Sequence, residues 1–110
     1  MADTEPVVVI ANFVPVPGKE DEIETALRNA VAATHQHDRG CELYAAHQSI
    51  RGREGFVIIE KWSSMEDLQA HGAGNAFAAL TTDVADLLAE PLDVTIVKPI
   101  LAGDIKLGAL

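Results

Sequence analysis

A chain of 110 residues, 48% of them hydrophobic, has material for one compact core and no length for a second. Seventeen acidic residues against eight basic ones give a formal net charge of −9, and only Arg51 and Arg53 cluster among the basic residues, so neither nucleic acid nor an anionic membrane is an expected partner. Cys41 is the single cysteine: no internal disulfide can form, no metal-ligand spacing surrounds it, and a reducing compartment suits it best.

The opening segment Met1-Ala2-Asp3-Thr4-Glu5-Pro6 carries acid rather than base, and the apolar run behind it is too short to span a bilayer. A soluble, cytoplasmic protein is the expectation. Val7 to Val14 is a β-branched run ended by Pro15 and the Pro17-Gly18 turn, which predicts a strand. Alternation puts Val7, Val9, Ala11 and Phe13 on one face and Val8, Ile10 and Val14, with Asn12 among them, on the other, so the strand is central.

From Lys19 to about His37, apolar Ile23, Ala26, Leu27, Ala30, Val31 and Thr34 recur at spacings of three and four, which predicts an amphipathic helix. Its first turn is acidic, favourable at the positive end of the helix dipole. Gly40 releases the chain into a second strand, Cys41 to Ile50, which pairs antiparallel with a third, Phe56 to Trp62, around a loop holding two glycines. Ser63-Ser64-Met65-Glu66 matches a capping box with Ser63 at the N-cap, opening a short helix that runs to about His71.

Gly72 and Gly74 interrupt that helix. Phe77, Leu80, Thr81, Val84, Leu87 and Leu88 then mark a further helix stopped before Pro91, and Val94 to Val97 supplies a last strand. The tail from Pro99 holds Ile100, Leu101, Ile105, Leu107 and Leu110, too apolar for a purely solvated segment, and is expected to dock.

The order β-α-β-β-α-α-β predicts an α+β, ferredoxin-like antiparallel sheet with helices on one face: one domain over 1–110, its core about 7–99 and its tail 100–110. With helices on one side only, the second apolar face of the first strand needs another cover. A homodimer packed sheet to sheet is the simplest one.

Chemistry has few candidates. His71 is the best base, since imidazole titrates near neutrality and the glycines beyond it leave room; it equally suits a plain helix cap. Asn12 interrupts an apolar face, and its amide either orients a substrate oxygen or bonds to backbone and water. Trp62 and Phe56 share a strand face with Ile58 and Glu60, as an aromatic wall or as core filling. Tyr44 and Glu60 on adjoining strands suit a structural hydrogen bond, and His47 is a half-exposed strand residue. His35 and His37 point apart, a poor metal pair. No nucleotide, phosphate or metal signature occurs.

Taken together, Asn12, Pro17-Gly18, Gly40-Cys41-x-x-Tyr44, Phe56-x-x-x-Glu60-x-Trp62-x-Ser64, Leu68-x-Ala70-His71, Phe77 and Glu90-Pro91 make the chain resemble the antibiotic biosynthesis monooxygenase domains from Val8 to Pro99. Within them it looks like a quinol-monooxygenase-like member. The resemblance implies a dimeric α/β barrel that oxidises a small aromatic or quinol-like molecule with O2 and without metal, flavin or other cofactor. It implies His71 and Asn12 as catalytic residues and Trp62, Phe56, Tyr44 and Phe77 as substrate-binding ones.

Two branches of that family match poorly. Anthrone-oxidising members place an asparagine four residues before the tryptophan and a tyrosine six after it, where this chain has Ile58 and Leu68; haem-degrading members place a tryptophan and a histidine where it has His71 and Thr81. An isomerase or other proton-transfer enzyme of the same fold, and a non-catalytic dimeric ligand-binding module, are the alternatives.

Overall fold

Seven elements follow in chain order in a computed structural model that describes residues 5–110: β1 (Val7–Phe13), α1 (Glu20–His37), β2 (Cys41–Gln48), β3 (Phe56–Trp62), α2 (Met65–Gly72), α3 (Asn75–Val84) and β4 (Asp93–Val97). The Met1-Ala2-Asp3-Thr4 part of the acidic opening segment lies outside the described residues. The four strands form one antiparallel sheet in the order β2-β3-β1-β4. This is the ferredoxin-like α+β arrangement expected from the element order.

β1 is central because both of its faces are apolar. Val9, Ala11 and Phe13 are buried toward the helices, joining Ile23, Ala26, Leu27 and Ala30 of α1 and Ile58 of β3 in the core. Ile23 and Leu27 are no more than 1% exposed, and each such side chain contributes about 2 kcal/mol by leaving water. Glu20, Asp21 and Glu22 occupy the first turn of α1 and complement its dipole.

Two local features aim side chains toward the helix side. A register shift between Cys41 and Leu43 pairs Cys41 with Trp62 but Tyr44 with Glu60. Residues three apart on a regular strand face opposite ways, and the shift instead puts both Cys41 and Tyr44 on the helix side. Gly40, at φ 79°, lets the chain turn from α1 into β2, where a Cβ would come within 2.1 Å of Asp67 Oδ2.

Two helix boundaries differ from expectation. The N-cap of α2 is Ser64, not Ser63: its Oγ accepts the Asp67 N–H at 3.1 Å. Ser63 is still held in strand-like pairing, its N–H donating to Gly40 O at 2.9 Å, while its hydroxyl donates to Asp67 Oδ2 at 2.5 Å. The N-cap is therefore displaced by one residue, and the backbone N–H it accepts is that of Asp67 rather than Glu66. α3 stops at Val84, and Leu87 and Leu88 follow in a turn tied to Val14, Pro15 and Val16.

The sheet face away from the helices is open in the single chain. Ile10 and Val97 are 36% and 39% exposed there, and every residue of β4 is exposed. The tail keeps Ile100, Leu101, Ile105 and Leu107 in solvent, and the Lys61 ammonium donates to the Leu110 carbonyl. Among the described residues no helix is long and apolar enough to cross a membrane.

Candidate functional site

Where β3 ends and α2 begins, four rings converge. Trp62 closes β3, Tyr44 sits beside it on β2, His71 occupies the last turn of α2 and Phe77 the first turns of α3. The His71 ring centroid lies 4.6 Å from that of Trp62, 5.3 Å from Tyr44 and 5.6 Å from Phe77, and Tyr44 meets Trp62 edge-on at 6.3 Å. Trp62, Tyr44 and His71 are 0%, 2% and 4% exposed, so the imidazole is walled by aromatic faces rather than by water.

Asp38 holds the other side of that imidazole. It is the C-cap of α1, and its Oδ2 lies 2.5 Å from His71 Nδ1. A carboxylate at the negative end of a helix is electrostatically unfavourable on its own account, and the imidazole across from it offsets that cost. A hollow of about 250 Å³, lined by His37, Asp38, Arg39, Ala70 and His71, connects the pair to solvent.

On the core side stands Glu60, itself 5% exposed, whose Oε1 accepts the Trp62 indole N–H at 2.9 Å. Burial pushes its pKa up, while the Trp62 bond and nearby His71 draw it back. Burial, then the charge of Glu60, pushes Tyr44 well above the usual phenol range. Burial also raises the Cys41 thiol, which leaves it poor in thiolate and unsuited to be a nucleophile. Behind Tyr44, Thr34 Oγ1 is completely buried without a hydrogen bond of good geometry, although the tyrosine hydroxyl is its neighbour. A buried polar atom left unpaired is uncommon and marks a place where a ligand oxygen or a water has something to gain.

Of the residues singled out in the sequence, His71, Trp62, Tyr44 and Phe77 are together. Phe56 is not: it lies six residues from Trp62 on β3, about 20 Å along the strand, and borders a different hollow of about 210 Å³ with His47, Leu27 and Arg28. Asn12 corrects the expectation of a pocket shared with His71. Its strand neighbours Ala11 and Phe13 are buried toward the helices, so its side chain faces away from them, between Val57 and Asp93. Tyr44 and Glu60 pair in register as expected, but the carboxylate bonds to Trp62.

Sequence reading missed Asp38 altogether and took Thr34 for one more residue of an apolar helix stripe. The available signal for Asp38 was an acid at a helix C-terminus, a local choice that needs a partner elsewhere. Among the described residues no three His, Cys, Asp or Glu side chains are grouped to hold a metal ion.

Fold and site together define a ferredoxin-like α+β domain with a histidine-bearing aromatic nest beneath its helices. Residues 6–82 match the family described as antibiotic biosynthesis monooxygenase. Rv0793 of Mycobacterium tuberculosis, named as a candidate monooxygenase, is 31% identical over 97 residues, covering 88% of this chain and 94% of its own. The chain belongs to the antibiotic biosynthesis monooxygenase family. The solved structure of Rv0793 superposes with a TM-score of 0.81 at 28% identity, covering 91% of this chain and all of the other. A candidate antibiotic biosynthesis monooxygenase from Caulobacter crescentus shares the fold at a TM-score of 0.82 and 20% identity, covering 91% and 94% of the two chains.

Proposed function

We propose that this protein is a cofactor-independent monooxygenase acting on a small hydroxy-aromatic, quinol-like molecule with O2, and that His71 is its base. One observation carries the reading: an imidazole fixed by a carboxylate at Nδ1 and enclosed by three aromatic rings. A carboxylate can only accept at Nδ1, so the proton sits there and Nε2 keeps its lone pair for the substrate hydroxyl.

Deprotonation by Nε2 makes a phenolate or enolate electron-rich enough to pass an electron to O2; recombination of the two radicals forms the new C–O bond. One oxygen atom stays on the ring system as a carbonyl and the other leaves as water with two hydrogens given up by the substrate. The substrate thus supplies every electron, and the protein supplies a base, a polar contact at Thr34 and Tyr44, and a site from which water is excluded. Asp38 is the positioning residue, holding the tautomer and sharing the charge of the imidazolium.

The chain would work as a homodimer in a dimeric α/β barrel, the open face around Ile10 and Val97 packed on a second copy with Asn12 between the sheets. A cytoplasmic location suits its free Cys41.

Oxygen uptake by the purified protein, freed of metal, against a panel of hydroquinones and anthrones tests the reading. Uptake above autoxidation is expected, lowered about 10²–10³-fold in His71→Ala and at least about tenfold in Asp38→Asn. Turnover that persists without oxygen would instead favour a proton-transfer enzyme, for which the same Asp38–His71 pair is equally apt. Ligand binding that survives His71→Ala, with no turnover in any arm, would leave a binding module.

A further inference from the structure

β4 is the strand that its own chain leaves bare on both sides. Val94 and Ile96 stand opposite Ala11 and Val9, whose side chains are buried toward the helices, so they too point to the helix side of the sheet. They are nevertheless 47% and 49% exposed, because the helix layer does not reach that edge. A second copy packed on the open face would cover Val97 and leave Val94 and Ile96 in water. Beyond β4 the chain carries Ile100, Leu101, Ile105 and Leu107 almost fully exposed, so the apolar strip continues from strand into tail.

We propose that two copies of this chain exchange their tails: residues 100–110 of each lie along β4 of the other, with Ile105 and Leu107 over Val94 and Ile96. This rests on the homodimer reading above and adds to it an arm that embraces the partner.

Area, charge and reach point to a second copy as the occupant. The single chain of 11.7 kDa exposes 7148 Å², where a compact monomer of that mass would expose about 5,900 Å². The excess is larger than the share of about 800 Å² that each partner gives to a stable interface of standard size. Residues 94–110 hold Lys98 and Lys106 against Asp104 alone, in a chain of net charge −9. Among the described residues neither lysine is paired with a carboxylate. A cationic arm is drawn to an acidic body, and another copy of this chain is one. Fully extended, residues 100–110 reach about 36 Å, against about 17 Å for the length of β4. Lys61 alternates with the buried Glu60 and Trp62 and so stands on the open face, where its ammonium holds the Leu110 carbonyl. The end of the tail is thus already on the side where a second copy would pack, away from Val94 and Ile96 of its own chain.

The test compares the intact chain with the double variant Ile105→Asp/Leu107→Asp by sedimentation equilibrium, and records isotope-filtered NMR spectra on a mixture of labelled and unlabelled wild type. Both positions are solvated in the single chain, so the variant should keep the wild-type far-UV spectrum while its dimer dissociation constant rises at least about a hundredfold. In the mixture, methyl contacts should join Leu107 of one copy to Ile96 of the other. A dimer whose constant is unmoved in the variant, or whose tail methyls touch only their own chain, would overturn the exchange and leave the sheet-to-sheet dimer standing. A wild-type chain that sediments as a monomer would sink both. The wild-type spectra decide the matter if the variant does not fold. Neither readout involves turnover, so oxygen uptake decides the oxygenase reading separately.

Discussion

Glu60 is where burial and ionisation oppose each other most directly. Its pKa in the folded chain is raised, chiefly by burial. In the window between the unfolded and folded values, the native state binds the proton more tightly, so stability falls as pH rises and the deficit is complete above the folded value. Glu60→Gln keeps an acceptor for the Trp62 N–H and removes the charge. Its thermal midpoint should exceed that of the wild type at about pH 8, with the gain shrinking as pH falls and vanishing only well below about 4.3, the ordinary glutamate value, where the wild-type carboxyl is neutral in both states. Melting curves across that range check it, and equal midpoints at the alkaline end would refute it. The sequence places Glu60 on the inner face of β3 through its alternation with Ile58 and Trp62. It does not say which neighbour takes the carboxylate. Register suggests Tyr44 across the ladder, yet a residue two further along the same strand points the same way, and the indole N–H of Trp62 reaches Glu60 first. Asp38 was harder still, because its partner His71 lies 33 residues away.

Between elements, the connection from α1 to β2 positions the site. Gly40 adopts φ 79° with the Asp67 side chain packed where a Cβ would stand. Asp67 in turn takes the Ser63 hydroxyl and carries the N–H bonded to Ser64, so one close approach joins the end of α1 to the start of α2. Gly40→Ala is expected to cost about 2 kcal/mol or more and to loosen the Asp38–His71 contact, lowering turnover beyond the loss of folded protein. Urea unfolding and activity on the same samples measure both; an unchanged midpoint would contradict it. Periodicity made the elements legible from Val7 to Val97, because a 3.6-residue stripe and a strict alternation are local patterns. Boundaries were less legible: two adjacent serines both suit an N-cap, and only the backbone bond from Ser63 to Gly40 decides between them. Leu87 and Leu88 extend an apolar pattern past the end of α3 because they pack from a turn, which periodicity does not distinguish from another helical turn.

At the scale of the whole molecule, the apolar second face of β1 is the feature that a single chain leaves unfinished. Ile10 stands on that face between Ile59 and Thr95. Light scattering at micromolar concentration should give twice the monomer mass for the wild type. Ile10→Glu, a change a half-solvated position tolerates in the monomer, should yield a folded single chain; a wild-type monomer would refute the sheet-to-sheet assembly. The two-sided strand was readable in the sequence, whereas the separation of Asn12 from His71 was not, because it depends on which face the helices choose. That choice also gives the protein an optical reporter. Trp62 is the only tryptophan in the chain, and its indole lies against His71 while donating to Glu60. Intrinsic fluorescence therefore originates at one site alone, where a protonated imidazole quenches the indole and an aromatic ligand changes its surroundings, so proton uptake and ligand arrival can be followed in real time without a label.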